Sequence, residues 1–163
     1  MTNYPLKVVL WVRKMAEDKA LHLVQVARAE EQKAREEAAV KEKALADYVD
    51  WCAKEEDRLY GEIQGKAVPH KRILFVRDQV AWNAGQQQKY ERQVEEARAE
   101  VRLKEGAVKQ AVEHYQAMAR EVFKLEQHRE EWTNEAKKVA ENIEENEIEE
   151  AGELIQTYRR MNS

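Results

Sequence analysis

Four histidines (His22, His70, His114 and His128) and a single cysteine, Cys52, are the side chains best suited to metal binding or nucleophilic chemistry. A helical metal pair needs a second His or Cys three or four residues along, on the same face. None of the four histidines has one. Cys52 has no second cysteine to pair with, and no electropositive cluster is evident nearby to stabilise its thiolate. Neighbouring carboxylates such as Glu144 and Glu145 point in different directions on a helix and are read as solvated. There is neither a phosphate-cradling glycine loop nor a Gly-x-Ser-x-Gly turn. The chain is therefore expected to have no catalytic residues, no metal site and no cofactor. The residues left to carry function are apolar and aromatic ones, and their chemistry is that of binding other proteins.

The elements that must position them are long helices. Charged residues make up 37% of the 163 residues and aromatics 7%, with five Gly and two Pro. A composition rich in helix formers and poor in breakers argues against a compact mixed fold. The net charge of −4 excludes a global field for nucleic acid. The longest apolar run, Val8 to Val12, is far short of the ~20 residues that span a bilayer, and it lacks the features of a signal peptide. A soluble, cytoplasmic protein without direct membrane insertion is expected.

The spacing predicts one helix over about 6–63 and another over about 71–150, with a Glu-rich tail expected to fray. Between them, Gly65 suits a left-handed cap and Pro69 the first turn of the next helix. In the second segment Ile73, Val80, Gln87, Val94, Val101, Val108, Tyr115, Val122, Arg129, Ala136 and Ile143 recur every seven residues. Val76, Asn83, Tyr90, Ala97, Lys104, Ala111, Met118, Leu125, Trp132 and Val139 follow three residues on. Such a heptad needs a partner helix. The first segment is weaker: Leu10, Glu17, Val24, Glu31, Ala38, Leu45, Cys52 and Leu59 form one series, with Leu6, Arg13, Ala20, Ala27, Ala34, Lys41, Tyr48, Glu55 and Glu62 as companions. Arg13 and Glu17 interrupt it. Val9, Val12, Ala16 and Leu23 suggest a seam rotated by one position there. The fold class predicted is all-α, a long antiparallel two-helix coiled-coil hairpin forming a single domain. Centring the turn between Ala67 and Val68 sets Leu59 opposite Val76, Cys52 opposite Asn83, Tyr48 opposite Gln87 and Leu10 opposite Leu125. Glu31 then meets Lys104 as a register-setting pair.

In that register Leu6 faces Arg129, and nothing beyond Arg129 has a partner in the chain. The apolar seam nevertheless continues through Trp132, Ala136, Val139 and Ile143. An uncovered apolar stripe marks a partner surface, unless the tail folds back onto the apolar N-terminal run. Charge is uneven as well. Arg58, Lys66, Lys71, Arg72 and Arg77 surround the turn with one acid, Glu62, whereas residues 130–153 hold ten Glu and two Lys. Leu74, Phe75 and Trp82 lie off the seam near the turn and Tyr60 beside it. They make a second docking tip, or else pack across the hairpin end.

Three stretches resemble the YscO (SctO) family of type III secretion, in its chlamydial-type form, the counterpart of the flagellar export stalk protein FliJ. They are Tyr4-Pro5-Leu6 with Val9-Leu10 and Arg13-Lys14, then Trp51 followed by Glu55-Glu56-Asp57-Arg58-Leu59-Tyr60, and Arg129-Glu130-Glu131-Trp132 with Glu135-Ala136 and Gly152-Glu153-Leu154. The resemblance covers nearly the whole chain, although the turn Gly65-Lys66-Ala67-Val68-Pro69 departs from it. It implies a non-enzymatic stalk similar to the γ subunit of rotary ATPases. The open end would enter the hexameric export ATPase, the turn end would meet the cytoplasmic ring of the export gate, and secretion chaperones would bind too. On this reading Leu6, Val9, Leu10, Trp11, Arg13, Trp132, Ala136, Val139 and Ile143 dock the ATPase. Arg58, Tyr60, Val68, Lys71, Arg72, Ile73, Leu74, Phe75 and Arg77 dock the gate. A monomer is expected in isolation. A generic cytoplasmic coiled-coil tether or adaptor is the alternative.

Overall fold

The computed structural model describes residues 3–163. They form two helices, α1 (Lys7–Ile63) and α2 (His70–Met161), packed against each other as a hairpin without strands. Gly65 ends α1 with φ of +70°, a left-handed conformation that costs a side-chain-bearing residue energy. The Gln64 amide donates to the Tyr60 carbonyl at 2.9 Å, completing the last turn. Pro69 precedes α2, and its carbonyl accepts the Arg72 amide at 2.9 Å. Its missing N–H costs nothing where a helix has no intrahelical acceptor.

The chain divides into two compact units, Met1–Leu21 with Glu113–Ser163 (unit 1) and His22–Val112 (unit 2). Unit 2 contains the turn. Its buried residues Val24, Ala34, Ala38, Leu59, Val76 and Val94 all occupy heptad positions. The alanines let the two backbones approach closely, and Val76 is wholly buried. Asn83 is the buried polar residue of this seam. Its side-chain oxygen accepts from Gln79 at 3.2 Å and its carbonyl from the Tyr48 hydroxyl at 2.8 Å. The expected partner of Tyr48 was Gln87. The ring instead stacks on Tyr90, with centroids 4.4 Å apart, because a tyrosine is long enough to lean along the seam. Cys52 lies beside Asn83, its sulfur 3.9 Å from the same carbonyl. Burial first, then the neighbouring Cys52, push the Tyr48 hydroxyl up to about 12.

The Glu31–Lys104 pair does not form. Glu31 accepts two hydrogen bonds from Arg35, at 2.7 and 3.0 Å, and Lys104 turns to Glu30 at 3.3 Å. Both stems stay half-buried in the seam while the charged ends reach for the wetter flanks. Register is marked on the flank instead. Arg35 pairs with Glu105 at 2.6 Å and Glu42 with Arg98 at 2.9 Å, seven residues up α1 for seven down α2. This is the arrangement that sets orientation in coiled coils.

In unit 1, Leu10, Ala20 and Val122 are buried along the same heptads, and Lys14 pairs with Glu126 at 3.0 Å. The rotated seam is met only at Ala16, which is half-buried: Val9, Val12 and Leu23 are exposed, while Glu17 stays half-buried at its heptad position. A long glutamate can leave its methylenes in the seam and its carboxylate outside it, so no drift is needed. The helix boundary expected near residue 150 lies further on, since α2 runs to Met161. Gly152 is the sole breaker there and sits in open space. Arg159 and Arg160 complement the dipole of the last turn, and the Ser163 hydroxyl donates to the Arg159 carbonyl at 3.0 Å.

Candidate partner-docking surfaces

At the open end, in unit 1, the residue that sequence reasoning undervalued is Tyr4. It lies one turn before α1, where its carbonyl accepts the Lys7 amide at 3.2 Å. It is buried. Its hydroxyl is 2.6 Å from His128 Nδ1, and its ring meets Trp132 edge-on with centroids 5.7 Å apart. Trp132 is therefore half-covered, and the uncovered stripe begins beyond it rather than beyond Arg129. A residue outside any periodic segment gives no heptad signal, so only its place in the Tyr4-Pro5-Leu6 start marked it.

Past that contact every residue of α2 except Ala136 is exposed. Val139 (57% exposed) and Ile143 (53%) continue the seam. With Trp132, Glu135, Ala136 and Ala140 they line a shallow groove along one helix face. The tail does not fold back on the N-terminal run; it continues as helix. On α1, Leu10 is only 4% exposed and belongs to the core, so it leaves the docking set. Leu6, Val9, Trp11 and Arg13 are exposed. The α1 surface is wider than expected. Val8, Trp11, Val12 and Met15 fall at i, i+3, i+4 and i+7, away from Leu10, and all are more than half exposed. Their spacing was legible, but Val8, Val12 and Met15 were absent from the predicted set.

At the turn, in unit 2, the basic character is weaker than composition implies. Arg58 donates to Glu55 at 2.6 and 2.9 Å and to Glu62 at 2.7 Å. Arg72 also pairs with Glu62, and Arg77 lies 3.2 Å from Asp78. The Arg58 contact holds the Glu55 carboxyl below the usual carboxylate range, and Glu55 in turn raises Arg58. The free positive surface predicted for Arg58, Arg72 and Arg77 is thus largely compensated locally. The apolar part is exposed: Tyr60, Ile73 and Phe75 face solvent, Val68 and Leu74 are half-buried, and Lys71 is exposed. Phe75 and Trp82, seven residues apart, share one face of α2 with Asp78 and Gln79. The Arg72 guanidinium lies 5.2 Å above the Phe75 ring.

Among the described residues no group of three or more His, Cys, Asp or Glu side chains could hold a metal ion, and no helix is long and apolar enough to cross a membrane. Comparison with known proteins agrees with the architecture. The family model described as type III secretion protein YscO matches residues 6–154. A solved structure from Chlamydia trachomatis, described as that of a YscO homologue, CT670, is similar over 100% of both chains, with TM-score 0.87 and 23% identity. No curated protein matches the chain.

Proposed function

Starting from the chain's membership of the YscO family of type III secretion proteins, we propose that it is a non-enzymatic central stalk at the cytoplasmic face of the export apparatus. It couples the hexameric export ATPase to the cytoplasmic ring of the export gate and engages secretion chaperones. The observation that carries this reading is the continuation of the α2 seam beyond the reach of α1. Val139 and Ile143 repeat the core spacing yet face water. A stripe of this kind in water is stabilised by a partner, and a ring with an apolar bore would cover it on all sides. The acidic residues around it, Glu135, Glu141 and Glu144, favour a bore rimmed with cations. The tip aromatics Tyr60 and Phe75 serve the gate, as rigid anchors with large contact area.

Reconstitution with the cognate hexameric ATPase tests this. The wild-type chain co-migrates with the hexamer and alters its hydrolysis rate. Ile143→Glu weakens co-migration, whereas Phe75→Glu leaves it intact and reduces capture of the gate ring. A chain that binds neither partner is a tether of some other assembly.

A further inference from the structure

Two exposed apolar stripes in unit 1 carry opposite charge. On α1, Val8, Trp11, Val12 and Met15 point away from the buried Leu10, and the stripe ends at Lys19. From residue 3 to 19 the basic residues Lys7, Arg13, Lys14 and Lys19 outnumber the acids Glu17 and Asp18. On α2, the half-covered Trp132 and Ala136 lead into the exposed Val139 and Ile143 at spacings of four, three and four, and the next position on that face is Glu147. The α1 positions Val8, Val12, Met15 and Lys19 repeat at the same spacings. Here acids dominate: eight Glu from 135 to 153, against two Lys.

The two stripes cannot meet within one chain. Tyr4 sets Trp132 beside the start of α1, and α2 runs on past that point while α1 runs back. The tail therefore leaves the hairpin with its seam face uncovered, and α1 presents its stripe on the side away from α2. A two-fold axis across the open end resolves both at once. It lays the tail of one copy, parallel, along the outer face of the partner's α1, and the reverse contact forms by symmetry. Aligned by spacing, Lys19 of one copy comes within a turn of Glu144 and Glu147 in the other. The exposed tail, residues 137–161, is about 36 Å long at the helical rise, long enough to cover the whole stripe. We propose that the free chain pairs with a second copy through these reciprocal contacts between the α1 stripe and the α2 tail. The monomer expected from sequence is then the engaged form, because self-pairing and any partner of the α2 stripe compete for the same surface.

Sedimentation equilibrium of the full-length chain, without any other component, tests the proposal and is independent of the ATPase reading. The expected result is a concentration-dependent species of twice the 19.2 kDa chain mass. Val12→Glu and Val139→Glu, each on an exposed position, keep the helical circular dichroism and raise the dimer dissociation constant at least about tenfold. Lys19→Glu and Glu147→Lys each weaken pairing, and the double swap restores it. A chain that stays monomeric up to its solubility limit overturns the proposal. So does a dimer untouched by Val12→Glu and Val139→Glu, or a double swap no better than either single change.

Discussion

Tyr4 and Trp132 form the last contact between the chain's N-terminal residues and α2, and they sit where the covered seam gives way to the open one. An edge-on aromatic pair contributes about 0.5–1.5 kcal/mol beyond its buried area. Tyr4→Ala should lower unfolding stability by at least that amount in a urea titration, and move Trp132 emission to the red in a chain whose other tryptophans are Phe. Trp132→Ala should cost a similar amount while leaving helix content unchanged, so loss of partner binding in that variant has to be read beside its stability. Within unit 2, Tyr48 is held neutral by burial, with a pKa of about 12 against an ordinary 10. The unfolded chain ionises this hydroxyl first, so the folded state loses stability as pH climbs from about 10 to 12 and keeps it below that window. A spectrophotometric tyrosine titration should show one late-ionising group, absent in Tyr48→Phe. If all tyrosines titrate together near 10, the Tyr48 packing against Tyr90 and Asn83 is wrong.

At the scale of the helices, the glycines separate local demand from tolerance. Gly65 is needed for its left-handed backbone, and Gly65→Ala should destabilise the hairpin by about 1–2 kcal/mol. Gly85 and Gly106 are helical, and a Cβ at either would meet open space. Gly85→Ala and Gly106→Ala should each stabilise by about 0.5–1 kcal/mol, measured by thermal melting. The helices, the turn and the pairing of heptads were legible because each rests on short-range rules: a seven-residue repeat, a cap and a proline. The polar register was only partly legible. Flexible charged stems choose among several partners one turn apart, so Lys104 found Glu30 and not Glu31. The flank pairs Arg35–Glu105 and Glu42–Arg98 follow from the same register once flank positions are read as well as seam positions. Tyr4 was not legible as a core residue, since its role depends on where Trp132 stands in three dimensions. The candidate site was legible as an apolar excess at the open end. Its division into buried Leu10 and exposed Val8, Trp11, Val12 and Met15 required the fold.

For the molecule as a whole, the decisive fact is that α1 has 57 residues and α2 has 92. A hairpin with helices of equal length would bury its seam and have nothing left to offer. Here the surplus length of α2 carries the core pattern into solvent, and the turn presents aromatics on its outer face. On the proposed stalk reading, each of these surfaces serves a different partner. The measurement that tests this most directly places a photo-activatable cross-linking residue at position 143 or at position 82 and illuminates each chain with the cognate hexameric ATPase. The stalk account predicts an adduct with the ATPase from position 143 and none from position 82. Adducts from position 82 alone, or from neither, would contradict it.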